Sequence, residues 1–376
     1  MKNILLVFGT RPEAIKMAPI ITELNKSDKL SYKVCITGQH KEMLNQVLDV
    51  FSLKCEYNLN IMSPGQTLND IFSKIVGKLQ AVFEEFKPDL VLVHGDTSTS
   101  FATALACFYA KIPIGHVEAG LRTGNLISPW PEEGNRRLTS VIANYHFAPT
   151  ENSKRNLLNE GVSEQRIIVT GNTVVDAVLM IKNRFQSDLP FAEKVRHALP
   201  SINFDEKIIL ITGHRRENFG SGFENICQAI KNLALSNPSL QFVYPVHLNP
   251  QVHGIVHKLL GNIENVRLIE PLSYTEFVYL MINSHIILTD SGGIQEEAPS
   301  LGKPVLLMRD TTERPEAVNA GTVNLVGTDC DNIVNSVNTL LQNQQEYEKM
   351  SKAVNPYGDG KAANKIVEWM EQQNAF

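Results

Sequence analysis

The sequence predicts an α/β protein built from two doubly wound parallel sheets in tandem. Short apolar, β-branched runs alternate with amphipathic stretches of helical length throughout the chain, which is the pattern of βα units around a parallel sheet. The series of runs starts again at Lys207, and 376 residues are enough for two domains. Such folds bind ligands at the carboxyl ends of their strands, so we expect the site in a crevice that the two domains face.

The strands are predicted from these apolar runs. In the first half they are Asn3–Val7, Tyr32–Thr37, Leu90–His94, Ile112–Val117, Tyr145–Ala148 and Arg166–Thr170. In the second half they are Lys207–Thr212, Gln241–Val246, Val266–Ile269, Ile286–Thr289, Val305–Met308 and Val323–Val326. Residues 187–205 have no strong periodicity. We therefore predict Rossmann-like domains at residues 1–186 and 187–355, and a C-terminal segment, 356–376, whose helix at 361–373 packs across the domain junction.

Composition limits the classes of function. A formal charge of -5 and the lack of a Lys/Arg block argue against nucleic-acid binding. The five cysteines are scattered without a C-x-x-C pair, and no apolar run approaches the ~20 residues of a membrane span. We expect a cytoplasmic protein that binds neither membranes nor nucleic acid.

The first strand runs into Thr10-Arg-Pro-Glu13, which has the form of a helix capping box. Arg11 and Lys16 would add full positive charges to the helix dipole, which favours an anion site; solvated surface cations are the alternative. Neither a G-x-G-x-x-G nor a G-x-x-x-x-G-K-[ST] motif is present, so we expect no nicotinamide cofactor and no nucleotide triphosphate.

Carboxylates follow two further strands of the first half. Asp96 follows Leu90–His94, and Glu118 follows the next strand in the equivalent position. Asp96 before Thr-Ser-Thr could also be a helix N-cap. The loop "SPWPEEGNRR" then supplies Glu132, Glu133, Arg136 and Arg137, so this half offers acid/base candidates and phosphate-binding cations.

The second half offers groups suited to a diphosphate. His214 and its neighbouring arginines follow the strand in "LITGHRREN", although a solvated turn is the alternative. Ser291-Gly292-Gly293 opens a helix, and glycines let backbone N–H groups approach phosphate oxygens. Glu297, one turn inside, could accept from a ribose diol or be an exposed charge. His253 and His257 have metal-ligand spacing but no evident carboxylate partner, so we expect no metal.

Together these motifs resemble the bacterial non-hydrolysing UDP-N-acetylglucosamine 2-epimerases. The resemblance covers nearly the whole chain, on "FGTRPEAIKMAP", "VHGDTSTS", "GHVEAGLRTG", "SPWPEEGNRR", "TGHRREN", "DSGGIQEEAPSLGKPVL" and "RDTTERPEA". It implies a glycosyltransferase-B-like fold, a homodimer, and interconversion of UDP-GlcNAc and UDP-ManNAc through elimination of UDP, without nicotinamide or metal. The product would supply ManNAc units for cell-surface polysaccharides.

The resemblance also implies roles for individual residues. Acid/base positions match Asp96, Glu118 and Glu132, and the sugar-diphosphate positions match Arg11, Lys16, Arg136 and His214. The phosphate turn matches Ser291, Gly292 and Gly293, the ribose contact Glu297, and the uracil pocket Phe277, which periodicity alone assigns to the core. Allosteric activation by UDP-GlcNAc would involve Gln39, His40 and Gln66.

Three other functions fit parts of this pattern. A hydrolysing relative would add water to the glycal and release free ManNAc and UDP. A glycosyltransferase would normally show an acceptor-binding face, and no such patch is evident in the N-terminal half. A sugar-nucleotide sensor would not need the three carboxylates.

Overall fold

The chain forms two compact units, each with its own parallel sheet. A computed structural model describes residues 1–38, 41–63 and 65–376. One unit comprises Met1–Ala177 and Tyr357–Phe376, and the other comprises Val178–Pro356. The predicted fold class, two Rossmann-like parallel-sheet domains, is confirmed.

The first unit contains a seven-stranded sheet in the order β3-β2-β1-β4-β5-β6-β7, with every described pairing parallel. Its strands are β1 Lys2–Phe8, β2 Leu30–Ile36, β3 Tyr57–Asn58, β4 Leu90–His94, β5 Ile114–Val117, β6 Tyr145–Ala148 and β7 Ile167–Val169. Its helices are α1 Arg11–Leu24, α2 Lys41–Val50, α3 Leu68–Phe86, α4 Ser98–Ala110, α5 Glu132–Ile142, α6 Glu151–Asn159 and the C-terminal α16 Ala362–Gln372. Helix α7, Thr173–Ser187, begins here and continues into the second unit.

The second unit contains a six-stranded parallel sheet in the order β10-β9-β8-β11-β12-β13. Its strands are β8 Lys207–Thr212, β9 Leu240–Pro245, β10 Val266–Ile269, β11 Ser284–Thr289, β12 Val305–Leu307 and β13 Val323–Leu325. Its helices are α8 Leu189–His197, α9 Ser221–Ser236, α10 Pro250–Leu260, α11 Tyr274–Asn283, α12 Ile294–Ser300, α13 Pro315–Asn319, α14 Cys330–Gln342 and α15 Gln344–Ser351.

The chain order reverses at β1 in the first sheet and at β8 in the second. Strand β1 lies between β2 and β4, and β8 lies between β9 and β11. Loops leaving the carboxyl ends of such neighbouring strands diverge to opposite faces and leave room for a ligand. The loops after β1, β4 and β5, and those after β8 and β11, are therefore where functional side chains are expected.

Two short elements escape sequence prediction. The segment 187–205, for which the absence of a strong periodicity gave no element, contains α8, because Asp188 caps its first turn through the N–H of Phe191 and Pro190 fits the start of a helix. Strand β3 has only two residues, too few for an apolar pattern. None of the helices in the described ranges combines the length and apolarity that crossing a bilayer requires.

Candidate active site

The loop after β1 is fixed by the predicted capping box. The Thr10 hydroxyl accepts from the N–H of Glu13, and the Glu13 carboxylate accepts from the N–H groups of Gly9 (3.0 Å) and Thr10 (2.7 Å). The other oxygen of Glu13 accepts from Thr97 (2.6 Å) and Ser100 (3.1 Å). Burial raises the pKa of Glu13 although these hydrogen bonds oppose the rise. Glu13 therefore ties the β1 loop to the β4 loop.

The loop after β4 projects Asp96. Gly95 adopts the left-handed conformation (φ 65°), and Thr97, which accepts from the N–H of Ser100 (3.1 Å), is the N-cap of α4. The cap reading of Asp96 is therefore wrong, since its neighbour takes that role. The Asp96 carboxylate instead forms an ion pair with Arg136 from α5.

The loop after β5 begins with Glu118 in a strained backbone conformation. Its φ of 62° is in the left-handed region, which costs a non-glycine residue about 1–3 kcal/mol and is concentrated at functional sites. The Glu118 carboxylate pairs with Lys16 of α1 and accepts a hydrogen bond from the Nδ2 of Asn172 (2.7 Å). The structure thus brings Lys16, predicted as an anion ligand, together with a predicted acid/base carboxylate.

Neutral histidines lie beneath these two loops. Burial lowers the pKa of His94 to about 4, although Glu118, whose Oε2 is 3.9 Å from the His94 Nε2, opposes the shift. Burial also lowers the pKa of His116 to about 3, and the His116 Nε2 is 2.7 Å from the carbonyl oxygen of Gly95. Since a carbonyl only accepts, His116 donates and helps to hold the turn that presents Asp96.

Helix α5 carries the carboxylates of the proline-rich loop in two different environments. Glu133 is fully buried and accepts from the N–H groups of Thr123 and Gly124 and from Arg136 (2.9 Å), so its role is structural. The Oε2 of Glu132 is buried without a hydrogen-bond partner among the residues that the structure describes. A buried carboxylate oxygen is rarely left unsatisfied in a folded protein, so this one needs a partner such as a ligand or an ordered water.

In the second unit, a buried aspartate organises the loop after β8. The Oδ2 of Asp290 accepts from the backbone N–H groups of His214 and Arg215, both at 2.8 Å. The side chain of His214 is exposed, stacks on His247 with ring centroids 5.0 Å apart, and has its Nδ1 3.8 Å from the Asp290 Oδ1. Although 43% of the side chain remains accessible, desolvation of the rest of the ring is the main cause that lowers the pKa of His214, while Asp290 opposes the shift.

The Ser291–Gly293 turn follows β11 and packs against buried ion pairs. A methyl group on Gly292 would lie 2.5 Å from the Nη1 of Arg314 and 2.9 Å from a carboxylate oxygen of Glu313, so a side chain at this position would have to displace these charged groups. Arg314 pairs with Glu296 and Glu313. Burial alone would raise the pKa of Glu313, but Arg314 and Arg309 lower it to about 2.

Beside this turn, Glu297 is 9% exposed, which rules out the exposed-charge alternative. Its carboxylate accepts from the hydroxyl of Tyr274 (3.4 Å) at the start of α11. Phe277 lies one turn further along α11 and is half-buried. Part of this residue therefore remains accessible.

The remaining predicted residues are Arg11, Arg137 and the three proposed for allosteric activation. Arg11 is half-buried at the first position of α1, and Arg137 is exposed with its guanidinium 3.4 Å from Glu160. Gln66 holds its own loop by accepting from the N–H of Ser63 and donating to the carbonyl of Ile61, both at 2.7 Å. Gln39 and His40 lie outside the described residues.

Sequence reasoning missed three parts of this geometry. Asp290 directly follows a predicted strand and Asn172 lies two residues beyond the end of another, so the argument from strand ends that located Asp96 could have located them. The ion pairs of Arg309, Glu313 and Arg314 come from one loop, where the sequence gives no sign of which charges are buried against each other.

Comparison with known proteins identifies both the fold and a family to which the chain is similar. A solved glycosyltransferase from Rickettsia africae is 15% identical with a TM-score of 0.64 over 100% of this chain and 99% of that chain, which shows the glycosyltransferase-B-like fold alone. The family model "UDP-N-acetylglucosamine 2-epimerase" matches residues 22–371. The curated UDP-N-acetylglucosamine 2-epimerase of Escherichia coli is 58% identical over 366 residues, which are 97% of each chain.

Two solved structures agree with the family model. The UDP-GlcNAc 2-epimerase of Neisseria meningitidis, bound to UDP-GlcNAc, is 57% identical with a TM-score of 0.92 over 99% of this chain and 100% of that chain. The Methanocaldococcus jannaschii enzyme, in complex with UDP-GlcNAc and UDP, is 36% identical with a TM-score of 0.81 over 99% and 100%. Because the family model matches most of its length and a curated relative is 58% identical, the chain belongs to the UDP-N-acetylglucosamine 2-epimerase family and is an isomerase.

Proposed function

We propose that the protein interconverts UDP-GlcNAc and UDP-ManNAc without hydrolysis, by eliminating UDP to a 2-acetamidoglucal and adding it back. The observation that supports this most directly is the pair of carboxylates at neighbouring strand ends, Asp96 after β4 and Glu118 after β5, each paired with a cation. Relatives with UDP-GlcNAc bound support the choice of substrate.

The chemistry of the sugar explains why carboxylates and a diphosphate site are both needed. C1 of the sugar is an acetal carbon, so the hydrogen on C2 is not α to a carbonyl and is not acidic. Departure of UDP removes this obstacle: the C2–H electron pair becomes the C1=C2 bond, and the C1–O pair leaves with the β-phosphate. Returning the proton to the opposite face of C2 and re-adding UDP inverts that centre.

Each step assigns work to side chains described above. Asp96, Glu118 and Glu132 exchange the C2 proton on the two faces of the sugar, and their ionised forms are the bases. The cations that pair with them, Lys16 with Glu118 and Arg136 with Asp96, contact the diphosphate when substrate binds. His214, whose lowered pKa keeps it neutral, donates a hydrogen bond to the departing UDP.

The nucleotide is recognised by the second unit. Ser291, Gly292 and Gly293 present backbone N–H groups to the phosphates, and Glu297 accepts from the ribose hydroxyls. Phe277 packs against uracil with the accessible part of its ring. Arg11 in the first unit completes the set of cations for the diphosphate.

Regulation and biological context follow from the family resemblance. UDP-GlcNAc would activate the enzyme through Gln39, His40 and Gln66, and the product would enter cell-surface polysaccharide synthesis. The five cysteines are all unpaired, which suits the reducing cytoplasm.

A homodimer is supported by exposed apolar side chains on two neighbouring helices of the first unit. Phe108 and Tyr109 at the end of α4, and Leu138 and Val141 on α5, leave water-exposed apolar surface of the kind that a second copy covers. We expect Val141→Asp to give monomers by sedimentation velocity. Val354→Asp, at an equally exposed valine of the second unit, should leave the dimer intact. Dimers of both variants, or a monomeric wild type, would exclude this surface.

The reaction is tested by incubation with UDP-GlcNAc in heavy water, followed by NMR of the sugar. We expect an equilibrium mixture containing UDP-ManNAc, with deuterium at C2 of the product. Accumulation of free UDP and free sugar would instead indicate the hydrolysing reaction. UDP-ManNAc that retains protium at C2 would exclude proton exchange with the carboxylates, and binding without any turnover would favour a sensor.

A further inference from the structure

Glu118 has a neutral hydrogen-bond donor in addition to its cation. The Nδ2 of Asn172, the third residue after β7, donates to Glu118 Oε2 at 2.7 Å. The same oxygen pairs with Lys16 and lies 3.9 Å from the Nε2 of neutral His94. Asp96 is close enough to act on the charge of His94 as well.

The orientation of the Asn172 amide is fixed by a hydrogen bond to its side-chain oxygen. Its Oδ1 accepts from the N–H of Val174 at 3.1 Å, so the NH₂ group has to face Glu118. The residue is 2% exposed, so water does not offer an alternative partner. Asn172 is thus a preset donor aimed at one carboxylate oxygen.

The backbone of Asn172 is held by the C-terminal segment of the same unit. Its N–H donates to the carbonyl of Tyr357 at 2.7 Å, and Tyr357 is fully buried. Asp176, one turn into α7, accepts from the N–H groups of Ala362 (3.2 Å) and Ala363 (2.9 Å) at the start of α16. The returning segment therefore fixes the strand end from which Asn172 reaches Glu118.

We propose that Asn172 is a positioning residue for Glu118, which it holds in one rotamer and in the ionised form. This inference rests on the proposed function, because it assumes that Glu118 exchanges the C2 proton. A hydrogen bond donated to a carboxylate favours its charged form. A fixed rotamer also keeps the carboxylate at the distance that proton transfer needs.

The test replaces Asn172 with aspartate. Asn172→Asp keeps the Oδ1 acceptor for Val174 and replaces the donor with a second carboxylate oxygen beside Glu118. Like charges this close raise a carboxyl pKa by about 1–3 units, so the limb of the pH–kcat profile that reports Glu118 should move to higher pH by at least ~1 unit. We expect kcat to fall roughly 100-fold at neutral pH, with KM within about threefold of wild type.

Asn144→Asp is the matched control. Asn144 also accepts a backbone N–H through Oδ1, that of Ile114 at 3.0 Å, but at the amino end of β5 rather than at Glu118. Its pH profile should coincide with that of the wild type. If Asn172→Asp and Asn144→Asp behave alike while the wild type epimerises, the positioning role is wrong.

Two further measurements separate other outcomes. A wild type that does not epimerise UDP-GlcNAc would overturn the proposed function itself. If Asn172→Asp does not fold, as judged by circular dichroism, Asn172→Ser provides the test, because its hydroxyl can still accept from Val174 but cannot reach Glu118. The serine variant should lose about tenfold in kcat at unchanged KM, and full activity would overturn the inference.

Discussion

Adding one methyl group at Gly292 should disturb the second unit far more than adding it at the next residue. The new Cβ would lie 2.5 Å from the Nη1 of Arg314, where ordinary contact begins at 3.4 Å, so the guanidinium has to move by 3.4 - 2.5 = 0.9 Å. Arg314 is buried and pairs with Glu296 and Glu313, so moving its guanidinium weakens these ion pairs. Losing one buried, charge-assisted hydrogen bond costs about 1.5–3 kcal/mol.

Gly293→Ala is the control for this substitution. The nearest atom to its Cβ would be the Oε2 of Glu297 at 3.8 Å, and its φ of -62° suits any residue. Alanine at a compatible glycine position stabilises by about 0.4–1 kcal/mol. Circular dichroism during urea denaturation measures both variants. Equal unfolding midpoints would refute the packing argument. UDP titrated into Gly292→Ala should also bind more weakly if this turn holds the phosphates.

The remaining predictions concern the first unit. Asp96→Asn and Glu118→Gln should abolish turnover while UDP still binds, as calorimetry can show; turnover close to wild type would remove these residues from the mechanism. Burial raises the pKa of Asp176 from 3.8 in the unfolded chain to about 6 in the folded protein. At ~1.36 kcal/mol per pKa unit, ionisation of Asp176 lowers the free energy of unfolding by roughly 3 kcal/mol. This loss of stability develops as the pH rises from about 4 to 6. Relative to wild type, Asp176→Asn should therefore gain stability over that range in denaturation followed by Trp369 fluorescence, and a constant difference would contradict this. Gly171→Ala and Gly161→Ala change glycines with similar left-handed φ values, 92° and 86°. A Cβ added at Gly171 would lie 3.1 Å from the carbonyl oxygen of Tyr357, whereas one added at Gly161 meets no atom of the described residues within 4 Å, so Gly171→Ala should lose more stability; equal losses would exclude the clash.

Most of the fold could be predicted from the sequence because buried parallel strands are continuous apolar runs. Strand β4, Leu90–His94, is buried at every residue and was predicted with its observed bounds. Strand β3 was missed because its two residues are too few to show an alternation of apolar and polar side chains. Helix α8 was missed because its apolar residues form only a weak helical pattern, and its clearest signal is the single capping residue Asp188.

The sequence predicts which residues of the candidate site lie at strand ends, but it does not predict which of them form ion pairs. Strand-end logic located Asp96 and Glu118, since a carboxylate directly after a buried strand has to lie at the carboxyl edge of the sheet. It could not show that Lys16 and Arg136 would pair with these carboxylates, because those contacts join residues 102 and 40 positions apart. The residue roles at the nucleotide, including Phe277 and Glu297, remain predictions.

The first unit is discontinuous in sequence, because Tyr357–Phe376 complete a body that begins at Met1. On a ribosome, at about 5–20 residues per second, the whole second unit is synthesised before those last residues emerge. A nascent chain therefore holds the first sheet without its final helix while its neighbour can already fold. Premature termination anywhere after Pro356 would release a protein with a complete second unit and an unfinished first one.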